Sequence, residues 1–395
     1  MTSPPLRLAF DATALLGIRT GIGRFAGELL DRLATRDDLD VSAFAVSWRG
    51  RRSLPDVVPD GVRVVTRPMA ARPLRLAWTR TDRPPIERFT GPIDVVHSPN
   101  YVVPPTRRAA RLVSVFDLTP VHHPELSTAD TLAYPALIAR AVRGGAWVHT
   151  ASRFVADEIT EHFDVDPARV VVIPLGVTSS SSSDGSPGSM DDAALPGPAA
   201  ARVGARLGGD RCILALGTVE PRKDLPALVA AFDALAGRVA DVQLVVAGPD
   251  GWGLEAFDAA VAAASHRDRI VRVGAVSEAD RVALLARADV FAYPSRYEGF
   301  GMPPLEAMDA GVPVVSTDAG SLAEVLGDAA EVVDATLLAN DRPAGIAALA
   351  TALERVLADD ARRTELVDRG RDRAASYRWD ATAAAFADLY HRLAP

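Results

Sequence analysis

Short apolar runs alternate with longer stretches of helical period along most of the chain. The runs are four to seven residues long and rich in Val, Leu and Ile, as buried strands of a parallel sheet are, and the stretches between them would supply the crossover helices. The pattern therefore predicts an α/β protein. Its strands are predicted at 6–10, 41–46, 62–65, 94–98, 111–116, 147–150 and 170–173, and then at 212–217, 242–248, 270–274, 289–293, 312–317 and 330–334.

Helical periodicity predicts the crossovers and a tail without strands. Ser152 precedes one periodic stretch and is a residue type that caps helices at their start. The last 55 residues are rich in Ala and helical in period throughout. The predicted helices are 22–34, 128–143, 152–163, 224–237, 253–264, 278–287, 303–310 and 320–326, followed in the tail by 341–358, 360–375 and 380–393.

Between the two sets of strands, residues 178–200 are crowded with Ser, Gly, Pro and Asp and lose all periodicity. Such a composition buries too little apolar surface to offset the entropy of ordering, so we expect a flexible linker at 179–200. The sequence then predicts two doubly wound, Rossmann-like domains, 1–178 and 201–378. The final helix, within 379–395, is expected to pack back on the first domain.

Composition narrows the class of protein. The 395 residues are 48% hydrophobic and 24% charged, and the net charge of −8 comes from intermixed acids and bases, which disfavours a nucleic-acid partner. Cys212 is the only cysteine and lies in an apolar run, so we expect a buried thiol. We find no signal-peptide core and no run long enough to span a membrane. We therefore expect a cytoplasmic protein, with contact at the inner face of a membrane left open.

The segment 293–320 carries the most informative chemistry. A strand ends at Tyr293, a glycine-containing loop follows, and Pro303 and Pro304 stand where a helix should begin. A helix start at the carboxyl end of a strand is a typical phosphate site. Prolines have no N–H, so the amides expected to bind an anion there are those of Phe300, Gly301, Met302 and Leu305.

Glu298 and Glu306 flank this helix start, with seven residues between them. Carboxylates beside a phosphate site accept hydrogen bonds from ribose or sugar hydroxyls, so both are candidate ligand-binding residues. For Glu306 the alternative is a structural role in which the carboxylate complements the helix dipole. Glu298 has no comparable local explanation.

A second constellation, GTVEPRKD at 217–224, also follows a strand and carries the adjacent cations Arg222 and Lys223. Arg binds phosphate oxygens through paired N–H groups and Lys adds a point charge, so the two suit a diphosphate. A solvated basic pair is the usual alternative. Both constellations, however, follow strands of one predicted sheet, where ligand sites of α/β proteins form. Together they predict a nucleoside-diphosphate site.

The motif RTGIGRFA at 19–26 places Gly21 and Gly23 before the first helix. It resembles a dinucleotide fingerprint only superficially, because Gly21 lies about ten residues after the strand and the fingerprint needs a glycine in the immediate turn. We expect instead a glycine-rich loop that approaches a donor phosphate or sugar.

Four polar residues of the first half are candidates for a catalytic group. They are His97, at the end of one predicted strand, and Asp117, His122 and His123, after the next. For His97 a packed structural histidine is the alternative, and for the two adjacent histidines it is a position on the loop surface. The spacing of the seven histidines matches no metal-binding motif, so we expect no metal site.

Several segments together resemble one known family. In chain order they are RTGIGRF, DVVHSPN, VFDLTPVHHPEL, HTASRF, VIPLGV, GTVEPRKD and EGFGMPPLE, the last with its E-x7-E spacing. They are similar to the retaining glycosyltransferases of family 4, whose fold is GT-B, and the resemblance extends from about residue 7 to about residue 390.

The resemblance implies two Rossmann-like domains that face a cleft, with a nucleotide-sugar donor bound chiefly by the C-terminal domain and the acceptor chiefly by the N-terminal one. It implies that Arg222 and Lys223 bind the donor phosphates, Glu306 the ribose and Glu298 the transferred sugar. The loop at Gly21 and Gly23 would approach the donor from the opposite domain.

One position departs from the family. Relatives often have His-Asp where this chain has Phe116-Asp117, and that histidine is expected near the reacting sugar. Phe cannot donate a hydrogen bond there. Either His122, His123 or His97 takes over, or the role is dispensable, or the protein binds a donor without turning it over efficiently.

The predicted function is transfer of a sugar, with mannose favoured, from a GDP- or UDP-linked donor to a hydroxyl of a glycan, polysaccharide or lipid-linked acceptor, with retention at the anomeric carbon. The scheme needs no cofactor and no divalent metal, since Arg222, Lys223 and the helix start near Gly301 would stabilise the charge on the leaving diphosphate. That phosphate could take the acceptor proton. The alternatives are a nucleotide-sugar epimerase of the same fold and a non-catalytic nucleotide-sugar-binding partner of a polysaccharide assembly complex.

Overall fold

Two structural units make up the chain. The computed structural model describes residues 4–17, 21–129, 131–178, 203–204 and 210–395. The N-terminal unit comprises Met1–Gly176 together with Arg378–Pro395, and the C-terminal unit comprises Val177–Tyr377. The segment predicted as a linker, 179–200, lies outside the described residues.

The N-terminal unit is built on a parallel sheet of seven strands in the order β3-β2-β1-β4-β5-β6-β7. Its strands are β1 Leu6–Asp11, β2 Leu39–Phe44, β3 Arg63–Val65, β4 Val95–Ser98, β5 Ala110–Ser114, β6 Trp147–Thr150 and β7 Val170–Val172. Its first six helices are α1 Gly21–Leu33, α2 Ala71–Arg80, α3 Glu87–Thr90, α4 Thr119–His122, α5 Tyr134–Arg143 and α6 Arg153–Phe163.

The C-terminal unit is built on a second parallel sheet, of six strands in the order β10-β9-β8-β11-β12-β13. The strands are β8 Arg211–Leu216, β9 Val242–Ala247, β10 Ile270–Gly274, β11 Val290–Tyr293, β12 Val314–Thr317 and β13 Ala330–Val333. The helices are α7 Leu225–Ala236, α8 Leu254–Ala263, α9 Glu278–Arg287, α10 Met302–Asp309, α11 Leu322–Leu326, α12 Ala335–Asn340, α13 Arg342–Ala358 and α14 Asp360–Ala375.

The last helix, α15 Trp379–Leu393, belongs to the N-terminal unit. Phe386 and Tyr390 on α15 are fully buried, and Arg32 of α1 forms an ion pair of 2.7 Å with Asp380. Thr382 Oγ1 donates a hydrogen bond of 2.9 Å to the carbonyl oxygen of Pro174. The chain therefore crosses from the first unit to the second and back again.

Every predicted strand is present, with ends shifted by at most two residues, because each apolar run lies in the interior of a sheet that is covered on both faces. Four helices were not predicted, namely α2, α3, α4 and α12. Two of them, α3 and α4, have four residues each, which is too short for a helical period to show. The stretch predicted as one helix at 128–143 forms a turn of 3₁₀ helix at Thr131–Ala133 followed by α5.

Both sheets have the strand order of a doubly wound fold, as predicted. In each, the order reverses beside the first strand of the unit, between β1 and β4 and between β8 and β11. Loops that leave the carboxyl ends of these strand pairs diverge and leave a crevice, which is where ligands of such sheets bind. In the C-terminal unit this crevice lies at the ends of β8 and β11, and the two constellations predicted to bind a nucleoside diphosphate follow those strands.

Two smaller expectations concern the thiol and membrane spans. Cys212 lies on β8, is buried, and has its pKa raised to about 12 by that burial, so it is the inert thiol expected. Within the described ranges, every helix is too short or too polar to traverse a lipid bilayer.

Candidate nucleotide-sugar site

The loop after β8 is held by contacts that its glycines permit. Gly217 directly follows β8 and has a φ of +144°, and Gly248 directly follows β9 and has a φ of +149°. A Cβ atom on Gly248 would overlap the carbonyl group of Gly217, so the two loops approach as closely as they do only because this residue has no side chain. Pro221–Lys223 then forms one turn of 3₁₀ helix before α7.

Glu298 joins the two predicted constellations. Its Oε2 lies 2.5 Å from Arg222 Nη1, and its Oε1 lies 2.6 Å from Lys223 Nζ. Ser295 Oγ donates a further hydrogen bond of 2.8 Å to Oε1. The loop after β8 and the loop after β11, 75 positions apart in sequence, therefore meet at one buried carboxylate that is 5% exposed.

Additional groups hold the two cations. Arg222 Nη2 forms an ion pair of 2.6 Å with Glu220, and its Nη1 donates to the carbonyl oxygen of Tyr297 at 3.1 Å. Lys223 Nζ donates to the hydroxyl of Tyr293 and also lies 4.4 Å from the centre of that ring. Both cations are thereby held at the carboxyl edge of the sheet.

Burial and charge oppose each other in this cluster. Burial raises the pKa of Glu298, but the charges of Arg222 and Lys223 outweigh it and set this pKa at about 2. Burial, with the neighbouring Arg222 charge, lowers the pKa of Lys223, while Glu298 and Glu220 act in the opposite direction. Burial also raises the pKa of Tyr293 well above its ordinary value. At neutral pH Glu298 is therefore an ionised carboxylate and Tyr293 a neutral phenol.

The helix start predicted to bind an anion is α10. Gly301 precedes it with a φ of +92°, and a Cβ atom there would lie 2.7 Å from Leu322 Cδ2. Pro303 and Pro304 occupy the first turn, as predicted, so the amides at this end come from Gly301, Met302 and Leu305. Phe300 is buried, and its ring packs edge to face against Tyr377 at 5.6 Å.

Glu306 lies in the same helix, with 6% of its surface exposed. Its Oε2 lies 2.7 Å from Arg281 Nη1, and Arg281 also pairs with Glu278 on its own helix, α9. Glu306 is thus held by a cation from a different helix, and a role limited to complementing the dipole of α10 does not account for that contact.

Several residues of this site were not predicted from the sequence. Arg281, Ser295 and Tyr293 have no local motif that marks them as ligands of a carboxylate. Gly320 is another: its φ is +63°, and a Cβ atom on it would overlap the backbone of Glu298. The next residue, Ser321, donates its N–H to the carbonyl oxygen of Glu298 at 2.9 Å. The one sequence signal for Gly320 was its position, a glycine three residues after the end of a predicted strand.

In the N-terminal unit, the candidate residues do not form one cluster. Gly21 and Gly23 lie in the first turn of α1, with Gly21 exposed and Gly23 buried, and Arg19 and Thr20 of the same motif lie outside the described residues. Asp117 Oδ1 accepts the N–H of Thr119 at 3.0 Å, which forms an Asx turn just before the short helix α4.

The histidines lie in three different environments. His97 is completely buried, and its two ring nitrogens bond to Tyr390 at 2.7 Å and to Ser114 at 2.8 Å. His122 lies 3.4 Å from Glu158, and His123 lies 3.5 Å from Glu125. The packed environment given as the alternative for His97 is the one observed.

Phe116, which stands where relatives often have His, packs against Phe25 with ring centres 5.0 Å apart. Its ring also lies 5.9 Å from that of His149. The side chain thus extends the aromatic packing between the sheet and α1.

Comparison with known proteins gives matches in both halves of the chain. A family model described as glycosyl transferases group 1 matches residues 200–373, and one described as glycosyl transferase 4-like domain matches residues 20–176. Across 375 residues the chain is 28% identical to O-antigen chain mannosyltransferase B of Escherichia coli, which covers 91% of this chain and 93% of that protein.

A second relative is the MMP alpha-(1->4)-mannosyltransferase of Mycolicibacterium hassiacum, 32% identical over 62% of this chain and 53% of that protein. Among solved structures, sucrose-phosphate synthase of Thermosynechococcus elongatus superposes with a TM-score of 0.72 at 19% identity, over 98% of this chain and 99% of that one. That likeness establishes the fold.

Two Rossmann-like units with this strand order define the GT-B class of fold, as predicted. The chain belongs to the group 1 glycosyltransferases, related to family 4, and is a glycosyltransferase. The assignment made from the sequence motifs is confirmed.

Proposed function

We propose that this glycosyltransferase moves a sugar, with mannose favoured, from a nucleoside-diphosphate donor to an acceptor hydroxyl with retention at the anomeric carbon. The observation that carries the proposal is the convergence of Arg222 and Lys223 on Glu298 at the point where the strand order reverses. The two relatives described above are both mannosyltransferases, which supports mannose and hence GDP-mannose as the first donor to test. UDP-sugars are the alternative donors.

The cluster can exchange one anion for another. Without donor, Glu298 pairs with both cations and Glu220 adds a second carboxylate beside Arg222, which offsets the desolvation cost of the two cations. A bound diphosphate would take over as their counter-ion, since both side chains bind phosphate oxygens well. Glu298 would then be able to accept hydrogen bonds from the hydroxyls of the transferred sugar, and Glu306 from the ribose diol.

The reaction separates charge, and these residues lie where that charge would develop. The bond between the anomeric carbon and the diphosphate oxygen breaks with its electron pair going to the phosphate, and the acceptor oxygen bonds to the same carbon. Arg222, Lys223 and the amides at the start of α10 would stabilise the leaving diphosphate. The acceptor proton would pass to a phosphate oxygen, so no protein base is required for this step.

We further propose that no divalent metal or other cofactor takes part. The reason is the charge already present: two cations and a helix start together supply what a bound Mg²⁺ would supply to a diphosphate. Transfer should therefore persist in EDTA. A loss of activity in EDTA that Mg²⁺ restores would contradict this part of the proposal.

In the N-terminal unit we retain Asp117, His122 and His123 as acceptor-side candidates, together with the start of α1 at Gly21 and Gly23. We leave His97 out of the proposed site because none of its surface is exposed and both ring nitrogens are hydrogen-bonded inside the unit.

The experiment begins with a thermal-shift screen of GDP-mannose, UDP-glucose and UDP-N-acetylglucosamine. Hydrolysis of the stabilising donor is then measured for the wild type and for Arg222→Ala. Loss of one preorganised donor to the leaving group typically costs about 2.7–4 kcal/mol of barrier, so we expect kcat to fall roughly 10²- to 10³-fold.

The matched control is Arg238→Ala, which removes an arginine from an exposed ion pair with Glu354 in the same unit and should leave kcat unchanged. Equal donor turnover by the wild type and Arg222→Ala would refute the assignment. An NMR spectrum of the glycoside product would test retention directly, since inversion of the anomeric configuration would contradict it.

A further inference from the structure

The N-terminal unit contains a cavity of about 190 Å³ that the proposed transfer reaction does not use. It lies beside the carboxyl-terminal end of α5, and three arginines line it: Arg111, Arg140 and Arg143. Its volume is more than ten times the roughly 10–15 Å³ that one water molecule needs. The space is therefore large enough for a small ligand.

The cavity lies at the opposite edge of the sheet from the one at which α/β proteins bind their reacting ligands. Arg111 is the second residue of β5, and Gly144 lies between α5 and the start of β6. Both positions belong to the amino-terminal ends of strands, whereas substrate sites of doubly wound sheets form at the carboxyl ends. A ligand here would be bound in addition to donor and acceptor.

Positive charge is in excess around the cavity. Asp82 is the one acidic residue among the described lining residues, and it pairs with Arg140 at 3.0 Å. Two positive charges of the lining remain uncompensated, and Arg169 stands close by: a Cβ atom on Gly145 would lie 3.4 Å from its Nη2. Burial lowers the pKa of Arg111; the charge of Asp82 acts in the opposite direction, and the charges of Arg169 and Arg140 lower this pKa further.

Part of this charge is stabilised by the end of α5. Arg111 Nη2 donates to the carbonyl oxygen of Gly144, and Arg169 Nη2 donates to that of Ala146 at 3.2 Å. The carboxyl-terminal end of a helix carries only about half a negative charge, so even together with Asp82 it does not balance four arginines. Each guanidinium has five N–H donors, and these carbonyl contacts fix its position while using few of them.

Arg143 differs from the other three arginines. It is the last residue of α5 and is exposed, and it has no hydrogen-bond or ion-pair partner in the part of the chain that the structure describes. Its charge is thus available at the mouth of the cavity.

The rest of the lining is apolar. Trp78, Val103 and Leu137 contribute to the wall, and the indole N–H of Trp78 is already donated to the carbonyl oxygen of Pro84 at 3.0 Å. A lining that combines arginines with hydrocarbon suits a molecule that has an anionic group and an apolar or weakly polar body.

We propose that this cavity is a binding site for a phosphate monoester. A phosphate monoester carries about −1.5 to −2 charges at pH 7, which matches the excess charge of the lining, and its oxygens accept the paired N–H groups of guanidinium. A phospholipid and a small phosphorylated metabolite both present this chemistry, and the probes below distinguish the two.

Calorimetric titration of the full chain tests the proposal with three probes: octyl phosphate below its micelle concentration, glucose 6-phosphate, and octyl glucoside. Octyl phosphate or glucose 6-phosphate, or both, should bind, and the neutral octyl glucoside should not. Tighter binding of octyl phosphate identifies a lipid-like ligand, and tighter binding of glucose 6-phosphate identifies a metabolite.

Two variants distinguish phosphate binding in the cavity from non-specific binding to arginines elsewhere on the surface. Arg143→Gln removes an exposed charge without touching the packing, and we expect it to weaken phosphate binding at least tenfold; Arg111→Gln should do the same. Arg153→Gln, an exposed arginine at the start of α6, should leave the affinity unchanged. The proposal is overturned if neither phosphate binds, if octyl glucoside binds as tightly as octyl phosphate, or if Arg143→Gln and Arg111→Gln both bind like the wild type.

Discussion

Glu298 is a carboxylate that two cations keep ionised inside the protein. Taken alone, a carboxylate with so little exposed surface would become neutral, because burial raises its pKa. Arg222 and Lys223 reverse that effect and bring the pKa to about 2. The same contacts hold the cations in place before any donor arrives, so the three side chains depend on one another.

Substitution Glu298→Gln should separate binding from turnover. The amide keeps the shape but removes the negative charge, so Lys223 loses its carboxylate partner and Arg222 keeps only Glu220. Breaking such a buried group costs about 3–5 kcal/mol of folding free energy. GDP or UDP would restore that charge, so the nucleotide should raise the melting temperature of the variant more than that of the wild type. Donor turnover should nevertheless fall about 10²-fold or more.

The control for this prediction is Glu331→Gln on β13, outside the proposed site. It removes a largely buried carboxylate that pairs with Arg355 and Arg362. Its nucleotide-induced shift should equal that of the wild type. A shift in Glu298→Gln smaller than in the wild type would show that Glu298 is not the competitor of the diphosphate.

At the scale of elements, α9 and α10 are joined by the ion pair between Arg281 and Glu306. The pair is almost completely buried and lies between helices whose starts are 24 residues apart in sequence. Arg281 is therefore a positioning residue: it orients a carboxylate that we propose contacts the ribose.

Substitution Arg281→Gln should weaken donor binding while sparing the chemical step. A charge-assisted hydrogen bond is worth about 1.5–3 kcal/mol, so we expect the KM for the donor to rise about tenfold or more with kcat changed less than threefold. Steady-state kinetics with the donor found by thermal shift measures both. Arg287→Gln, in the same helix, is the control and should leave KM unchanged. A loss confined to kcat would contradict the positioning role.

The contact between the segment after β7 and α15 depends on one glycine. A Cβ atom on Gly176 would overlap the backbone of Trp379 at the start of α15, and backbone atoms cannot rotate away. Gly176→Ala should therefore destabilise the N-terminal unit by about 1–3 kcal/mol, as overpacking typically does. Chemical denaturation of the whole chain measures the loss. Gly204→Ala, with no atom within 4 Å of its added Cβ, should be neutral.

At the scale of the whole molecule, a buried chain of hydrogen bonds crosses the N-terminal sheet and reaches the last helix. His149 Nε2 donates to the carbonyl oxygen of Ile173 at 3.0 Å, so its Nδ1 accepts the hydroxyl of Ser114 at 2.8 Å. Ser114 in turn accepts His97 Nε2–H, and His97 Nδ1 accepts the hydroxyl of Tyr390. Every member is satisfied only while both imidazoles are neutral.

This chain makes the stability of the N-terminal unit depend on pH. Burial lowers the pKa of His149 to about 4 and that of His97 well below the ordinary 6.5. Below pH 6.5 the unfolded chain binds protons that the folded chain does not, so the free energy of unfolding falls as the pH drops from about 6.5 towards 4. Each histidine contributes a loss of about 1.4 kcal/mol per pH unit in that window, and its full contribution is present above pH 6.5.

Urea denaturation at pH 7.5, 6.5, 5.5 and 5.0 measures this dependence. His149→Gln should be less stable than the wild type at pH 7.5 but should lose less stability on acidification, because it no longer titrates. His162→Gln, at an exposed position on α6, should follow the wild type. Parallel curves for the wild type and His149→Gln would contradict the assignment. Glu298 affects stability at a lower pH than the histidines do. Its contribution to the free energy of unfolding is lost only as the pH falls from about 4.5 towards 2.

Local patterns predicted the strands and the position of α10 well. The runs that became β8 and β11 are apolar because both faces of the sheet are covered, and Pro303 with Pro304 marked the helix start. The single-turn helices α3 and α4 escaped prediction because four residues cannot show a period.

Contacts between distant residues were predicted less well. The sequence identified Arg222, Lys223 and Glu298 as site residues. It did not reveal that the carboxylate pairs with both cations. Arg281 had no local signal at all. His97 was a candidate for catalysis with a packed histidine as the alternative, and its partner Tyr390 is 293 positions away, so no local pattern could have identified the group that it packs against.

The sequence by itself determined the class of fold and the family, and it supplied the residue types of the proposed nucleotide site, because burial period, turn chemistry and motif spacing are local properties of a chain. Tertiary structure alone decided which of those side chains meet. The reversal of strand order between β8 and β11 brings together loops 75 positions apart, and the return of α15 encloses His97. Such pairings depend on strand order and on packing in three dimensions, which no window along the chain contains.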